Sequence, residues 1–406
     1  MNDLDTLERS YGPMLRGALH DIAAAAPHLE PDAQVVSPAG RQVESSRRPR
    51  RLIAMTAAVT IAAGGAVAVT TLRLSSPPPD AAGEAAVAAW TFAPDAPIPR
   101  RAEAAFAWTG TSAVVWSCDS YTPGGNIGTQ HGDGARYDVA SRTWRVIAAA
   151  PIAPRASPQT VWTGTEVIVW GGADAQGMPL ADGAAYNPAD DSWRVLADAP
   201  DGTAAIGAGV VWTGSELVVW GGQDAAGGSA YTPATDSWRT LPAAPIGPRL
   251  VANAVWTGAE VIVWADGDGA AYEPSTDMWR ALSPSPLSPA QPSGVWTGSE
   301  VLFLGGAWDA AGFAQGAFYD PAADSWRTIQ PGPWHPGLDF GWTGTTAVAI
   351  AKGTLVEYDA QVDTWAVSDA PAAALATGAW DDGVYSFLTA TDDDSFRIGF
   401  FRPAVV

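Results

Sequence analysis

The 406-residue chain has one cysteine, Cys118, and four histidines, and after residue 74 it has a single lysine, Lys352. One cysteine excludes an intrachain disulfide framework, so the fold must rest on a core large enough to need no staples. A cytosolic protein and a large secreted domain both meet that condition. No histidine follows Cys118 at catalytic-motif spacing, and we read it as a tolerated small residue, not a nucleophile. The shortage of basic residues leaves 43 acidic against 22 basic side chains, a formal net charge of -21. Such a surface repels phosphate backbones and argues against nucleic acid as a partner. Its ordinary consequence is solubility, and it suits cations, basic peptides or neutral sugars. The His-Glu-x-x-His, Gly-x-Ser-x-Gly and P-loop patterns are also missing. No catalytic residue and no cofactor is therefore assigned.

What the chain does have is repetition. Val161–Gly172, VWTGTEVIVWGG, returns as VVWTGSELVVWGG ending at Gly222, VWTGAEVIVWAD ending at Asp266 and VWTGSEVLFLGG ending at Gly306. Weaker copies end at Cys118 and Lys352. Each copy closes an apolar run on a tryptophan (Trp108, Trp162, Trp212, Trp256, Trp296, Trp342), then passes through Thr-Gly into an alternating run of Val, Ile, Leu and Trp. Two β-rich runs joined by a short Gly-containing turn predict an antiparallel hairpin. A second motif interleaves with the first, as in AAYNPADDSWR, residues 184–194, and SAYTPATDSWR, residues 229–239. Its Tyr–Trp spacing is seven in all six copies, from Tyr137–Trp144 to Tyr358–Trp365. Pro and Asp between the two aromatics suit a turn, so this is a second hairpin. Four antiparallel strands recurring about every forty to fifty residues predict an all-β propeller.

Six complete units run from Arg101 to about Pro371. The chain ends supply a seventh. Trp380-Asp381-Asp382-Gly383 followed by VYSFL copies the first hairpin, and Phe401-Arg402-Pro403 matches Tyr186-Asn187-Pro188. Trp90 stands alone as a fourth strand. Joining the two ends in one blade closes the ring and hides the edges of an open array. Seven blades are expected, with six or eight as the alternatives.

These motifs resemble the Kelch repeat, of the galactose-oxidase-like kind, over residues 87–406. The resemblance rests on a basic residue before the first strand (Arg101, Arg155, Arg249), on Gly171-Gly172, Gly221-Gly222 and Gly305-Gly306, and on the six Tyr–Trp pairs. Ser117-Cys118, Ala265-Asp266 and Ala351-Lys352 depart from the doublet. The resemblance implies a Kelch-type propeller whose doublets, tyrosines and tryptophans build the packing between blades. Some propellers of this kind are copper radical oxidases, but the Cys–Tyr cross-link and paired His ligands they need are not evident here. Others isomerise sialic acids with a few polar channel residues.

Ahead of the repeats, Leu4, Leu7, Tyr11, Leu15, Leu19 and Ile22 recur at helical intervals, and Gly12-Pro13 interrupts them. Residues 31–46 read as a linker. Leu52–Leu72 is free of charge and would rise about 31 Å as a helix, enough to cross a bilayer. Arg47, Arg48, Arg50 and Arg51 precede the span and only Arg73 follows it, which places residues 1–51 in the cytoplasm and the repeats outside. The segment is read as an uncleaved signal anchor. Ala66-Val67-Ala68 and Arg50-Arg51 leave open a cleaved or a twin-arginine signal. Residues 73–86 form a Pro/Ala-rich spacer. The whole resembles a bacterial single-pass cell-membrane protein.

Function is expected on the loops of one face, those between second and third strands and those between blades. Tyr121, His131, Arg155, Asp174, Asp224, Arg249, Asp266, Asp268, Trp308, Trp334 and His335 are the candidate ligand-binding residues. Their acidic and aromatic character suits a protein or a glycan at the cell surface. Ca²⁺ is compatible with the carboxylates, although no Asp-x-Asp-x-Asp-Gly register is present. The expected function is non-catalytic binding. The alternatives are a mutarotase- or isomerase-like sugar-processing propeller, and a ligand sensor whose residues 1–30 hold a cytoplasmic partner.

Overall fold

The computed structural model describes residues 89–402 except 100, 103, 118, 122–126, 204–206, 223–226, 248–251, 289–292, 309–313, 334–339, 352, 371–373, 382–383 and 391–395. The expected tail, membrane span and spacer, with Cys118, Asp224, Arg249, Trp334 and His335, lie outside the described residues.

Among the described residues all regular structure is strand. Seven four-stranded antiparallel sheets form seven blades, and a further three-stranded sheet stands apart from them. Blade two shows how the sequence builds the unit. Its strands are Gln159–Trp162, Val167–Trp170, Gly183–Asn187 and Ser192–Val195, hydrogen-bonded in that order. The Thr-Gly turn between the first two is locked by Thr163, whose Oγ1 accepts from Glu166 N at 2.9 Å and donates to Glu166 O at 3.1 Å. Gly164 takes φ +96° there, a left-handed backbone natural to glycine. The second hairpin turns through Asp191 at φ +54°, and Tyr186 lies directly opposite Trp193. The constant Tyr–Trp spacing is thus a cross-strand register.

The first strand of each blade lies beside the first strands of the two neighbouring blades, and blade seven's lies beside blade one's, so the ring is closed. Blade seven joins the chain ends. Ala89–Phe92 pairs with Phe396–Arg402, with Trp90 opposite Phe401. Seven buried clusters fill the seven wedges, each drawing on two adjacent blades. The tryptophans of the second strands face those of the next blade's fourth strand, Trp116 with Trp193 at 5.6 Å between centroids and Trp170 with Trp238 at 5.4 Å. Each fully buried large apolar side chain contributes about 1.5–3 kcal/mol of transfer free energy, so the wedges carry the stability.

Two local features depart from the regular repeat. Gly171-Gly172 and Gly221-Gly222 do form left-handed turns, at φ +70°, +87°, +71° and +98°. Gly305-Gly306 instead continues the strand Val301–Trp308, with a register shift between Leu304 and Trp308. The long segment after Ser117 is not a simple loop. Asp119–Tyr121 and Ile127–Gln130 pair with each other, and Arg101–Ala102 adds a third strand.

Candidate functional site

Antiparallel blades put the first and third turns on one face. The connections between second and third strands and between blades emerge on the other, here called the loop face. Among the described residues its largest feature is the blade-one hairpin. Trp116 Nε1 donates to Gly132 O at 2.9 Å and Ser117 N to Asp133 O at 3.1 Å, which fixes the hairpin's base to the blade. Gln130 Nε2 reaches Ala173 O of blade two at 3.3 Å, so the hairpin also spans one junction.

Two arginines anchor this region from below. Arg155 is fully buried: its Nη1 and Nη2 grip the Asp182 carboxylate at 2.8 and 3.0 Å, and its Nε donates to Ala153 O. Ser117 Oγ donates to Arg155 O and accepts from Arg155 N, tying blade one to the start of blade two. Arg101 is buried in the same manner and pairs with Asp133. These arginines hold the loops in place from behind the face. His131 sits partly exposed beside that pair. Burial first, then the Arg101 charge, lowers its pKa, against the opposing pull of Asp133.

The other expected residues scatter around the ring. Asp174 closes a tight turn, its Oδ1 accepting from Gln176 N and Met178 N at 2.9 Å. Asp266 and Asp268 are exposed on blade four, three blades away from His131. Tyr121 lies in the blade-one hairpin and Trp308 at the end of a second strand of blade five. The structure thus gathers His131 with Arg101 and Asp133, and does not bring Asp266 and Asp268 to them.

Sequence reasoning missed the channel wall. The first strands of blades two and five are partly exposed along their whole length, whereas Val167–Trp170 and residues 301–304 beside them are buried, so solvent reaches the central channel. At the loop-face end the first strands carry Gln159, Thr160, Asn253 and Ser293; deeper lie Val161, Val210, Val211 and Val295; a tryptophan closes each strand at the far face. In three blades the signal was visible as the polar residue three before Trp-Thr-Gly: Gln159, Asn253 and Ser293.

The strongest pKa shifts belong to the opposite face. Arg239 grips Glu216 at 2.8 Å and donates to Tyr272 OH of the next blade at 2.9 Å, while Tyr272 OH donates to Asp277 at 2.6 Å. Arg194 and Arg280 repeat this with Glu166 and Tyr231, and with Glu260 and Tyr319. Burial, chiefly, pushes Tyr231 and Tyr272 up to about 12. The Tyr272 hydroxyl, then Arg239, holds the Asp277 carboxyl below its usual range. Perturbed groups of this kind mark functional sites elsewhere, but here they join blades.

Among the described residues no three His, Cys, Asp or Glu side chains are grouped to hold a metal ion, and no helix is long and apolar enough to cross a membrane. No protein-family model matches the chain, and no curated protein matches its sequence.

Proposed function

We propose that the chain is a membrane-anchored propeller of the Kelch type that binds a ligand outside the membrane through its loop face, without turning it over. A glycan is the favoured ligand and a surface protein the other. One observation carries the preference for binding. From Ala105–Trp108 through Phe340–Trp342, the described first strands of blades one to six hold no acid, base or thiol, only apolar side chains with Gln159, Thr160, Asn253 and Ser293. Neutral hydrogen-bonding groups beside aromatic and aliphatic surface are what recognises a sugar, while acid–base turnover needs a titratable pair within reach. The anchoring of the propeller by residues 52–72 rests on the apolar span and the arginines before it.

The full-length protein in detergent, screened on a glycan array and by thermal shift with free sugars and Ca²⁺, tests this reading. A glycan that raises Tm and is recovered chemically unchanged is the expected result. Conversion of that glycan on long incubation would replace binding with sugar processing. No glycan bound, and no protein captured by the propeller that loop-face substitutions release, would overturn the proposal.

A further inference from the structure

One hairpin on the face opposite the loops reverses the charge of the repeat. In blade two, Ala185, Asp191 and Arg194 flank the Tyr–Trp turn, and Glu166 of the neighbouring hairpin holds Arg194. The same four positions in blade one are Arg136, Arg142, Arg145 and Ser112. One arginine between two carboxylates has become three arginines with neither carboxylate. Every other arginine with a described side chain, from Arg101 to Arg397, grips an aspartate or a glutamate. Among the described residues Arg136, Arg142 and Arg145 have no ion pair. In a chain of formal net charge -21 this patch runs against the average.

Arg142 and Arg145 are exposed, and Arg136 is partly buried. Arg136 lies directly opposite Arg145 across the two strands, where like charges repel. Blades two to four place Ala185, Ala230 and Ala271 there, and blade five places Phe318, on which the Arg327 guanidinium stacks at 3.7 Å. Arg136 donates to Pro188 O of blade two, which fixes the side chain without neutralising it. Asp138 and Asp191 offset part of the charge but are committed elsewhere. Asp138 Oδ1 accepts from Ser141 N and Oγ at 2.7 Å, and Asp191 Oδ1 accepts from Tyr186 OH at 2.8 Å and Ala148 N at 3.0 Å.

Val139, at the tip of the same turn, leaves 41% of its surface exposed. Guanidinium groups without counter-ions beside an exposed aliphatic tip fit a bilayer surface, where phosphates meet the arginines and the interface accepts the valine. The path of the chain agrees. Ala89 opens the fourth strand of blade seven opposite Arg402, the end of the third, so the chain enters the propeller on this face and one blade away from the arginines. The turns of blades two to six carry Asp191, Asp236, Asp277, Asp324 and Asp363 instead, which confines the attraction to blade one. We propose that Arg136, Arg142 and Arg145 dock this edge of the propeller on anionic phospholipid headgroups of the membrane that holds the chain, with the loop face turned away. The inference rests on the reading of residues 52–72 as a membrane span and is independent of the ligand.

The test places the full chain in nanodiscs of phosphatidylcholine, with and without phosphatidylglycerol. Ala140→Cys, in a Cys118→Ser background, carries a nitroxide at the blade-one tip; Ser275→Cys carries it at the blade-four tip as the control. With phosphatidylglycerol present, the blade-one label should lose access to a water-soluble nickel chelate while the blade-four label keeps it. The ratio of docked to free protein should fall about fivefold for each arginine replaced by glutamine. Arg142→Gln with Arg145→Gln leaves the Arg136 bond to blade two intact, and serves if the triple variant does not fold. A blade-one label equally open in both kinds of disc overturns the docking and leaves anchoring and ligand binding standing. Shielding that needs no anionic lipid and grows with protein concentration marks a contact between copies, and overturns it as well. If the chain is not retained by the discs, the anchor falls. Flotation of the free chain with phosphatidylglycerol vesicles, lost in the arginine variants, then upholds the headgroup site, and no flotation overturns it.

Discussion

The junctions between blades two and five and the junction that closes the ring are built from different chemistry. In the first group an arginine of one blade's fourth strand bridges to a tyrosine hydroxyl of the next, and that hydroxyl donates to an aspartate in its own turn. Backbone amides also cross, as from Ala197 N to Asp236 and Ser283 N to Asp324. Between blades seven and one the turn carries Arg142, at φ +55°, where the repeats carry aspartate. There Phe400 meets Trp108 and Tyr137 at 5.6 and 6.1 Å, Phe396 meets Trp144 at 5.8 Å, and Trp144 Nε1 donates to Pro94 O. The repeated junctions add directional, partly exposed polar clamps to aromatic pairs such as Trp170 with Trp238; among the described residues the seam rests on aromatic area. A clamp needs both partners in the same register, which tandem copies of one unit provide. The seam joins segments from distant parts of the chain and relies on less exacting apolar packing.

The largest expected effect tests the strand pairing that completes blade seven. Trp90, in the wedge between blades six and seven, packs on Phe401 at 4.4 Å and edge-on against Phe387 at 5.9 Å. Trp90→Ala should cost about 3 kcal/mol and should loosen the pairing of the two chain ends, read as a loss of Tm and faster hydrogen exchange in Phe396–Arg402. A substitution at a clamp should do less. Tyr272→Phe removes one hydroxyl from between Arg239 and Asp277 and should cost about 1–1.5 kcal/mol by denaturant unfolding. The same clamp predicts a pH dependence. Tyr272 and Tyr231 hold their protons to about 12 when folded, above the ordinary value of 10.0. Their contribution is therefore complete below pH 10 and declines as pH rises toward 12. Asp277 has the opposite sign, its folded pKa being lowered, so its share is lost as pH falls through the carboxylate range. Absorbance titration of the tyrosines, with Tyr272→Phe as reference, checks the alkaline limb. The smallest effect would come from making the seam resemble the repeats. Arg142→Asp places a residue tolerant of positive φ where Tyr137 can donate to it, and should raise stability by about 0.5 kcal/mol.

The blades were legible because each is assembled from local hairpins whose turns have strong residue demands. Thr163-Gly164 and Asp191 are examples, and seven-residue Tyr–Trp spacing leaves one register open. The closing blade was legible from Trp380-Asp381-Asp382-Gly383 with VYSFL after it, from Phe401-Arg402-Pro403 and from the lone Trp90. The blade-one hairpin was not, since Asp119–Tyr121 and Ile127–Gln130 lack the alternating apolar run that marks a strand over solvent. Arg155 looked like a loop-face side chain because nothing near it in sequence announces Asp182 as its partner.

The pairing of Trp90 with Phe401 joins residues about three hundred positions apart, so closing the ring carries the largest loop-closure entropy in the propeller. Local hairpins can assemble early and cheaply; the circle cannot be completed until the two ends meet. Until then blade seven presents the bare edge of Phe396–Arg402, and a second chain could pair with it. The slow step of folding, the first opening on unfolding and the opportunity for strand exchange between molecules are thus expected at the same place.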